Sequence, residues 1–436
     1  MQKVYIETYG CASNLQDAQI IMGLLQNAGY VFVDNPREAD VSIINTCVVK
    51  TPTEQRMIHR IKLLQSFGKP LVVAGCMAKA EPEVVGRVAP KATLVSPRSL
   101  SKVVEAVRVT LQGGRGVYLS DDGIEKPLLP HIRFNKAVEI VEISSGCLSG
   151  CTFCQTKLAR GNLLSYRPEL VREAVARAVR EGCREVWLTS QDCSAYGRDI
   201  GVDISLLLRS ILYHIPGKYF IRVGMMNPLH FKKIELKRLV DAYRDYRVFK
   251  FLHLCVQSGS DVVLKDMKRG YSANDFVRFV EMFRKAHRDL TLMTDIIVGY
   301  PTESWEDFEE TLSLVEKVRP DFVNISRFYP RPHTEAAKLK PLPPEEVNRR
   351  SKILTSLCNE ISLAKNEEWV GWRGEVLVDE IGPRGEAIGR NYAYRPIAFP
   401  RTRGAELLGR FVDAEVVDAR RHCLIGEIER VPDQPM

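Results

Sequence analysis

Each of the first three apolar runs of this chain ends on a cysteine: VYIETYGC at 4–11, VSIINTC at 41–47 and LVVAGC at 71–76. Helical patterns separate them, one from about Asn14 to Ala28 and one after Pro52. Strands alternating with helices, and no hairpin signal between them, call for parallel pairing, because the chain must travel back along a helix before the next strand begins. Parallel sheets offer their ligand sites at the C-terminal strand edge. Cys11, Cys47 and Cys76 are therefore expected to converge on one site.

The 436 residues, 45% of them apolar, are enough for two or three domains. The cysteine-tipped sheet fills the first, residues 1–110, and the Gly-rich, charged stretch QGGRGVYLSDDGIEKPLLP reads as the boundary that follows. A second unit, 133–368, holds six strand-like runs: AVEIVEIS, REVWLTSQD, YFIRVGMM, FKFLHLCVQS, LTLMTDIIVGYP and FVNISRFYP, with helical segments between them. Eight units close a β/α barrel, so six predict a partial one. The Pro-rich tract 331–347 reads as a linker into a helix reaching Glu368. Short runs broken by Gly and Pro then indicate a small all-β barrel over 369–432. The expected class is α/β with this barrel appended.

No run of eighteen apolar residues occurs, and MQKVYIETYG lacks a charged segment followed by an apolar one, so a soluble, cytoplasmic protein without membrane attachment is expected. In that compartment eleven cysteines point to metal, cofactor or core use rather than disulfides. The formal charge of +8 is compatible with a polyanionic partner only if the cations cluster.

The densest cysteine group is SSGCLSGCTFCQTKLARG (144–161), just past the first barrel strand. Three readings fit Cys147, Cys151 and Cys154. A zinc site would need a fourth ligand from His131, Cys183 or Cys193. Packed thiols would be unusual in a turn of Gly and Ser. An iron-sulfur cluster held by three thiolates would leave one iron open. Cys183, Cys255, Cys358 and Cys423 show no pattern and read as buried thiols, while Cys193 follows a strand end.

The spacing in CLSGCTFC resembles that of the radical S-adenosylmethionine (SAM) enzymes, and with YGC, NTC and GCM the whole chain resembles the radical SAM methylthiotransferases. That resemblance implies two 4Fe-4S clusters, one on Cys147, Cys151 and Cys154 and an auxiliary one on Cys11, Cys47 and Cys76. It also implies SAM bound at the open iron and cleaved to a 5'-deoxyadenosyl radical, a sulfur presented by the auxiliary cluster, and a C-terminal TRAM domain. Phe153 matches the aromatic placed near the adenine. Polar strand ends at Gln191, Asn227, Gln257 and Asp295 are expected to contact SAM, the first and third near the methionine end and Asp295 near the sugar or substrate. Lys157 and Arg160 could steady the SAM carboxylate or a substrate phosphate.

The family includes enzymes acting on tRNA and others acting on a ribosomal protein. In RGEAIGRNYAYRPIAFPRTR, Arg384, Arg390, Arg395, Arg401 and Arg403 alternate with Tyr392, Tyr394 and Phe399, with Arg373 on the preceding strand. Arginines contact phosphates and aromatic faces stack on bases, so Arg390, Tyr392, Tyr394, Arg395, Arg401 and Arg403 are expected to grip RNA. The stretches after the third cysteine and WLTSQDCSAYGRDIG look most like the archaeal and eukaryotic branch that methylthiolates N6-threonylcarbamoyladenosine at position 37 of tRNA. A different modified adenosine, a ribosomal protein, or a non-catalytic metal-stabilised RNA-binding role remain alternatives. A monomer served by a separate reductant protein is expected.

Overall fold

A computed structural model of the chain describes residues 1–48, 51–232 and 234–432. Its first sheet has six parallel strands in the order Val31–Phe32, Lys3–Thr8, Val41–Thr46, Leu71–Gly75, Thr93–Val95, Val117–Tyr118. The central strands Val41–Thr46 and Leu71–Gly75 are buried along their whole length, as parallel strands covered on both faces should be. The stretch expected as a boundary loop supplies the sixth strand, because Val117 and Tyr118 can pair with the otherwise open edge at Leu94 and Val95.

Six more parallel strands follow in chain order: Val138–Glu142, Glu185–Thr189, Phe220–Val223, Phe251–His253, Thr291–Val298 and Phe322–Arg327. They form two three-stranded sheets joined by the bridges Ile221 to Val248 and Met226 to Leu254. The result is an open half-barrel. Outward residues such as Val186, Leu188, Ile221, Val223, Leu252 and Ile296 pack on amphipathic helices, among them Ala273–Ala286 and Trp305–Val318, each begun by a Ser/Asp capping box. The alternate residues face the lumen.

The Pro-rich tract is more than a linker. Arg331 is buried and reaches back to Glu54, Glu81 and Gln155, strapping the half-barrel to the first sheet domain. After the helix Pro344–Glu367, five strands close into a barrel: Arg373–Ile381, Glu386–Arg390, Pro396–Arg403, Phe411–Ala419 and Leu424–Arg430.

This barrel is docked through three of the six residues expected on RNA, Tyr392, Tyr394 and Arg395, while Arg390 is used inside the barrel. Tyr394 packs on Phe249 and Phe251, with ring centroids 4.7 Å apart in each case. Tyr392 donates its hydroxyl to Asp289 at 2.6 Å, and Arg390 pairs with Asp379 at 2.7 Å. Arg395 is 2% exposed and pairs with Asp321 and with Asn366. Arginine and aromatic side chains suit a domain joint as well as an RNA face, and here the joint takes them. Arg401 and Arg403 stay exposed.

Candidate active site

The strands that precede the three cysteines end at Thr8, Thr46 and Gly75, so the cysteines fall just past the strand ends rather than on them. Cys11 caps the helix Ala12–Asn27 and Cys76 opens the helix Cys76–Ala80. All three share one sheet edge, with Asn14 as their hub. Its Nδ2 donates to the carbonyls of Tyr9 and Thr46, both at 2.8 Å. Its Oδ1 faces the Sγ of Cys76 at 3.6 Å and of Cys11 at 3.9 Å. Gly10 lies so close to Cys47 that a Cβ there would stand 2.9 Å from the cysteine Cβ. Burial, with Cys47 and Cys11 nearby, pushes the Cys76 thiol up to about 12.

The second trio sits on one loop whose other residues do the holding. Gly146 N donates to Gln191 Oε1 at 2.6 Å, Cys147 N to Gly161 O at 3.2 Å, and Thr152 N to Met267 O at 3.2 Å. Asn227 Nδ2 donates to Ser149 Oγ at 3.1 Å, and Arg269 places a guanidinium N–H 3.1 Å from Cys151 Sγ. Burial, then the Asp192 carboxylate, lifts the Cys147 thiol to about 12, and burial raises Cys154.

A single zinc ion, with Zn–S near 2.3 Å, would draw its sulfurs to about 3.8 Å apart. Among the described residues only His253, Cys255 and Asp295 gather ligand atoms within 4.8 Å of one another. Neither trio is that tight. The proposed fourth zinc ligands are also engaged elsewhere: His131 with Glu139, Cys183 with the Lys136 carbonyl, and Cys193 in the core beside Ser190.

The two trios are joined by a buried ionic cluster. Arg160 does not turn to the half-barrel mouth as expected. It lies 1% exposed and donates to Asn14 Oδ1 at 2.7 Å, Asp17 at 2.6 Å and Glu142 at 2.9 Å. Lys126 completes the square with Asp17 at 2.6 Å and Glu142 at 2.8 Å. Lys157 stays near the loop, its Nζ 3.5 Å from Leu148 O.

Of the residues expected at SAM, Gln191 and Asn227 bind the cysteine loop itself. Gln257 has φ of 76°, its backbone bonded to Asp295 and Ile297. Phe153 packs against Met267, Tyr300 and Phe328. Burial would raise the Asp295 carboxyl, but bonds from His253, Cys255 and Asn324 hold it at about 2. Cys255 is buried, as expected, and its thiol donates to Asp295. Asn14, Arg269 and His253 escaped the sequence reading; the polar run NLQD opening an otherwise buried helix was the available signal for the first.

Residues 3–96 match an uncharacterized protein family, UPF0004, residues 141–315 the radical SAM superfamily, and residues 369–428 the TRAM domain. The chain is 39% identical over 432 residues to a "probable threonylcarbamoyladenosine tRNA methylthiotransferase" of Pyrococcus horikoshii, covering 98% of this chain and 100% of that one. The chain belongs to the radical SAM methylthiotransferases. A "threonylcarbamoyladenosine tRNA methylthiotransferase" of Drosophila melanogaster is 38% identical over 436 residues, 98% of this chain and 78% of its own. Among solved structures, the radical SAM methyltransferase TsrM from Kitasatospora setae shares the fold, with a TM-score of 0.57 at 12% identity over 77% of each chain. In this methylthiotransferase the superfamily match spans most of the half-barrel and the loop with Cys147, Cys151 and Cys154, and membership of the superfamily implies SAM and a 4Fe-4S cluster.

Proposed function

We propose that the chain converts N6-threonylcarbamoyladenosine at position 37 of tRNA to its 2-methylthio derivative. The observation that carries this reading is the pair of cysteine trios held across one buried joint, in a chain that aligns end to end with relatives named for that activity. When bound, a cluster on Cys147, Cys151 and Cys154 with SAM supplies a carbon radical, and a second cluster on Cys11, Cys47 and Cys76 supplies the sulfur.

The chain's own residues do the positioning. Gln191, Asn227 and Thr152 hold the cysteine loop to the strand ends, and Arg269 sets a cation against Cys151. Arg160 and Lys126 clamp the two domains so that the trios keep one spacing. Arg401 and Arg403, exposed on the small barrel, are the phosphate contacts that remain after docking. Replacing both with Gln should weaken tRNA binding and lower its salt slope by about 1 per lost contact, leaving SAM cleavage alone. This reading describes a cytoplasmic monomer that takes electrons from a separate reductant; among the described residues no helix is long and apolar enough to cross a membrane.

Nucleoside mass spectrometry of threonylcarbamoylated tRNA, incubated with reconstituted enzyme, SAM and dithionite, should show the 2-methylthio product. Unchanged tRNA alongside a methylthiolated ribosomal protein would refute the reading.

A further inference from the structure

The lumen of the half-barrel contains a cation that has no counter-ion among the described residues. Strand alternation brings Trp187, Arg222, His253, Asp295 and Asn324 to the inner face, half-exposed or exposed apart from His253. Contacts lead there directly from the cysteine loop: Arg269 spans Cys151 Sγ at 3.1 Å and Cys255 O at 3.0 Å, and the Cys255 thiol lies 2.7 Å from Asp295. Three lumen groups satisfy one another, since Asp295 pairs with His253 Nε2 at 2.9 Å and accepts from Asn324 Nδ2 at 2.8 Å.

Arg222 is different. Its guanidinium carbon sits 5.0 Å from the Trp187 ring centroid and 5.5 Å from those of Phe251 and Tyr394. Its Nε is buried with no acceptor, and among the described residues no carboxylate comes within 4.0 Å of the group. Glu185, two residues before Trp187, accepts from that indole instead, and burial beside Asp379 drives its carboxyl toward the neutral form. A half-exposed guanidinium whose Nε is buried without an acceptor, and whose flanking groups are aromatic faces, lacks the charge-assisted bonds it is shaped to make. Such a group is built for an anion that arrives with the substrate.

We propose that Arg222 reads the carboxylate on the N6 side chain of the target adenosine, with Asp295, His253 and Asn324 taking the hydroxyl and urea hydrogens of the same arm. The assignment rests on the substrate reading above and deepens it: the pocket selects an N6-acylated adenosine bearing a free carboxylate. A hydrocarbon arm at N6 would leave Arg222 unpaired and be rejected.

The test uses the iron- and SAM-loaded enzyme with two tRNAs, one carrying the threonylcarbamoyl arm and one with its carboxylate converted to the primary amide. Arg222→Met should lower kcat/KM on the acid about 100-fold and leave the amide close to its wild-type value. Wild type should itself discriminate against the amide by a similar factor, and Arg222→Lys should fall between. Iron content and tRNA-independent SAM cleavage should be unchanged throughout. Equal losses on both tRNAs, or no loss on the acid, would overturn the assignment. If Arg222→Met fails to fold, the Lys variant and the wild-type comparison still decide. A wild type that modifies neither tRNA would overturn the substrate reading itself, and this assignment with it.

Discussion

The two cysteine trios reach similar ends by opposite routes. Cys11, Cys47 and Cys76 are far apart in sequence, but the parallel sheet brings three adjacent strand ends together, so the scaffold places the ligands. Cys147, Cys151 and Cys154 are neighbours in sequence on a single loop, and it is their non-cysteine companions that borrow rigidity from distant strands. Spacing along the chain therefore says little about how firmly a ligand set is held. The first trio depends on a fold, the second on a handful of hydrogen bonds.

The widest separation between them should come from removing ligands. Cys47→Ala should reduce reconstituted iron from about eight to about four per chain and abolish methylthiolation, while SAM cleavage without tRNA persists. Cys147→Ala should also leave about four irons but end SAM cleavage. Identical phenotypes would mean that the trios form one site and would erase the distinction.

Next in size is the joint between them. Arg160→Met leaves Asp17 and Glu142 buried with one cation in place of two, at a cost of about 3–5 kcal/mol in urea unfolding of the iron-free protein. Because Arg160 also donates to Asn14, iron should be lost first from the trio that Asn14 organises. A change below about 1 kcal/mol, the level of an exposed pair, would show that the domains are held by other contacts.

How far these features could be read from sequence follows the same division. Period and spacing exposed the strand ends, the loop CLSGCTFC, the six strand and helix units and the five short strands of the small barrel, since each is a local pattern. Arg160 was read as a cation for the SAM carboxylate or a substrate phosphate because its partner Asp17 is 143 residues away. Arg390, Tyr392, Tyr394 and Arg395 were read as an RNA grip because nothing local separates a guanidinium facing phosphate from one facing Asp321 in another domain. Arg222 sits in the run YFIRVGMM as an ordinary alternating polar residue, and only its aromatic setting in the fold shows that no described residue serves as its counter-ion.

Glycines offer a finer contrast. Gly10 has φ of 114° and no room for a Cβ between Asn14 and Cys47, whereas at Gly150, within the second loop, a Cβ would meet nothing within 4 Å. Gly10→Ala should cost about 1–3 kcal/mol and weaken iron retention at the first trio. Gly150→Ala should stay within about 0.5 kcal/mol of wild type with full iron.

The smallest effect probes what holds the second loop. Thr152 Oγ1 lies 3.0 Å from the Asp266 carbonyl and 2.8 Å from the Tyr300 hydroxyl, both in parts of the half-barrel remote in sequence. Thr152→Val keeps the shape and the backbone bond from Thr152 N to Met267 O, but removes both hydroxyl contacts in a buried setting. About 1–2 kcal/mol of stability should go with them. Tyr300→Phe removes a contact of 3.3 Å to the Asp266 carbonyl but leaves Thr152 its bond of 3.0 Å to the same carbonyl, so it should cost less than Thr152→Val. If the loop is held as described, Thr152→Val should make the cluster on Cys147, Cys151 and Cys154 easier to strip with chelator and leave the auxiliary one unaffected, measured by iron release in the Cys47→Ala and Cys147→Ala backgrounds. Equal release from both sites would mean that the loop's distant hydrogen bonds do not distinguish it from the sheet edge.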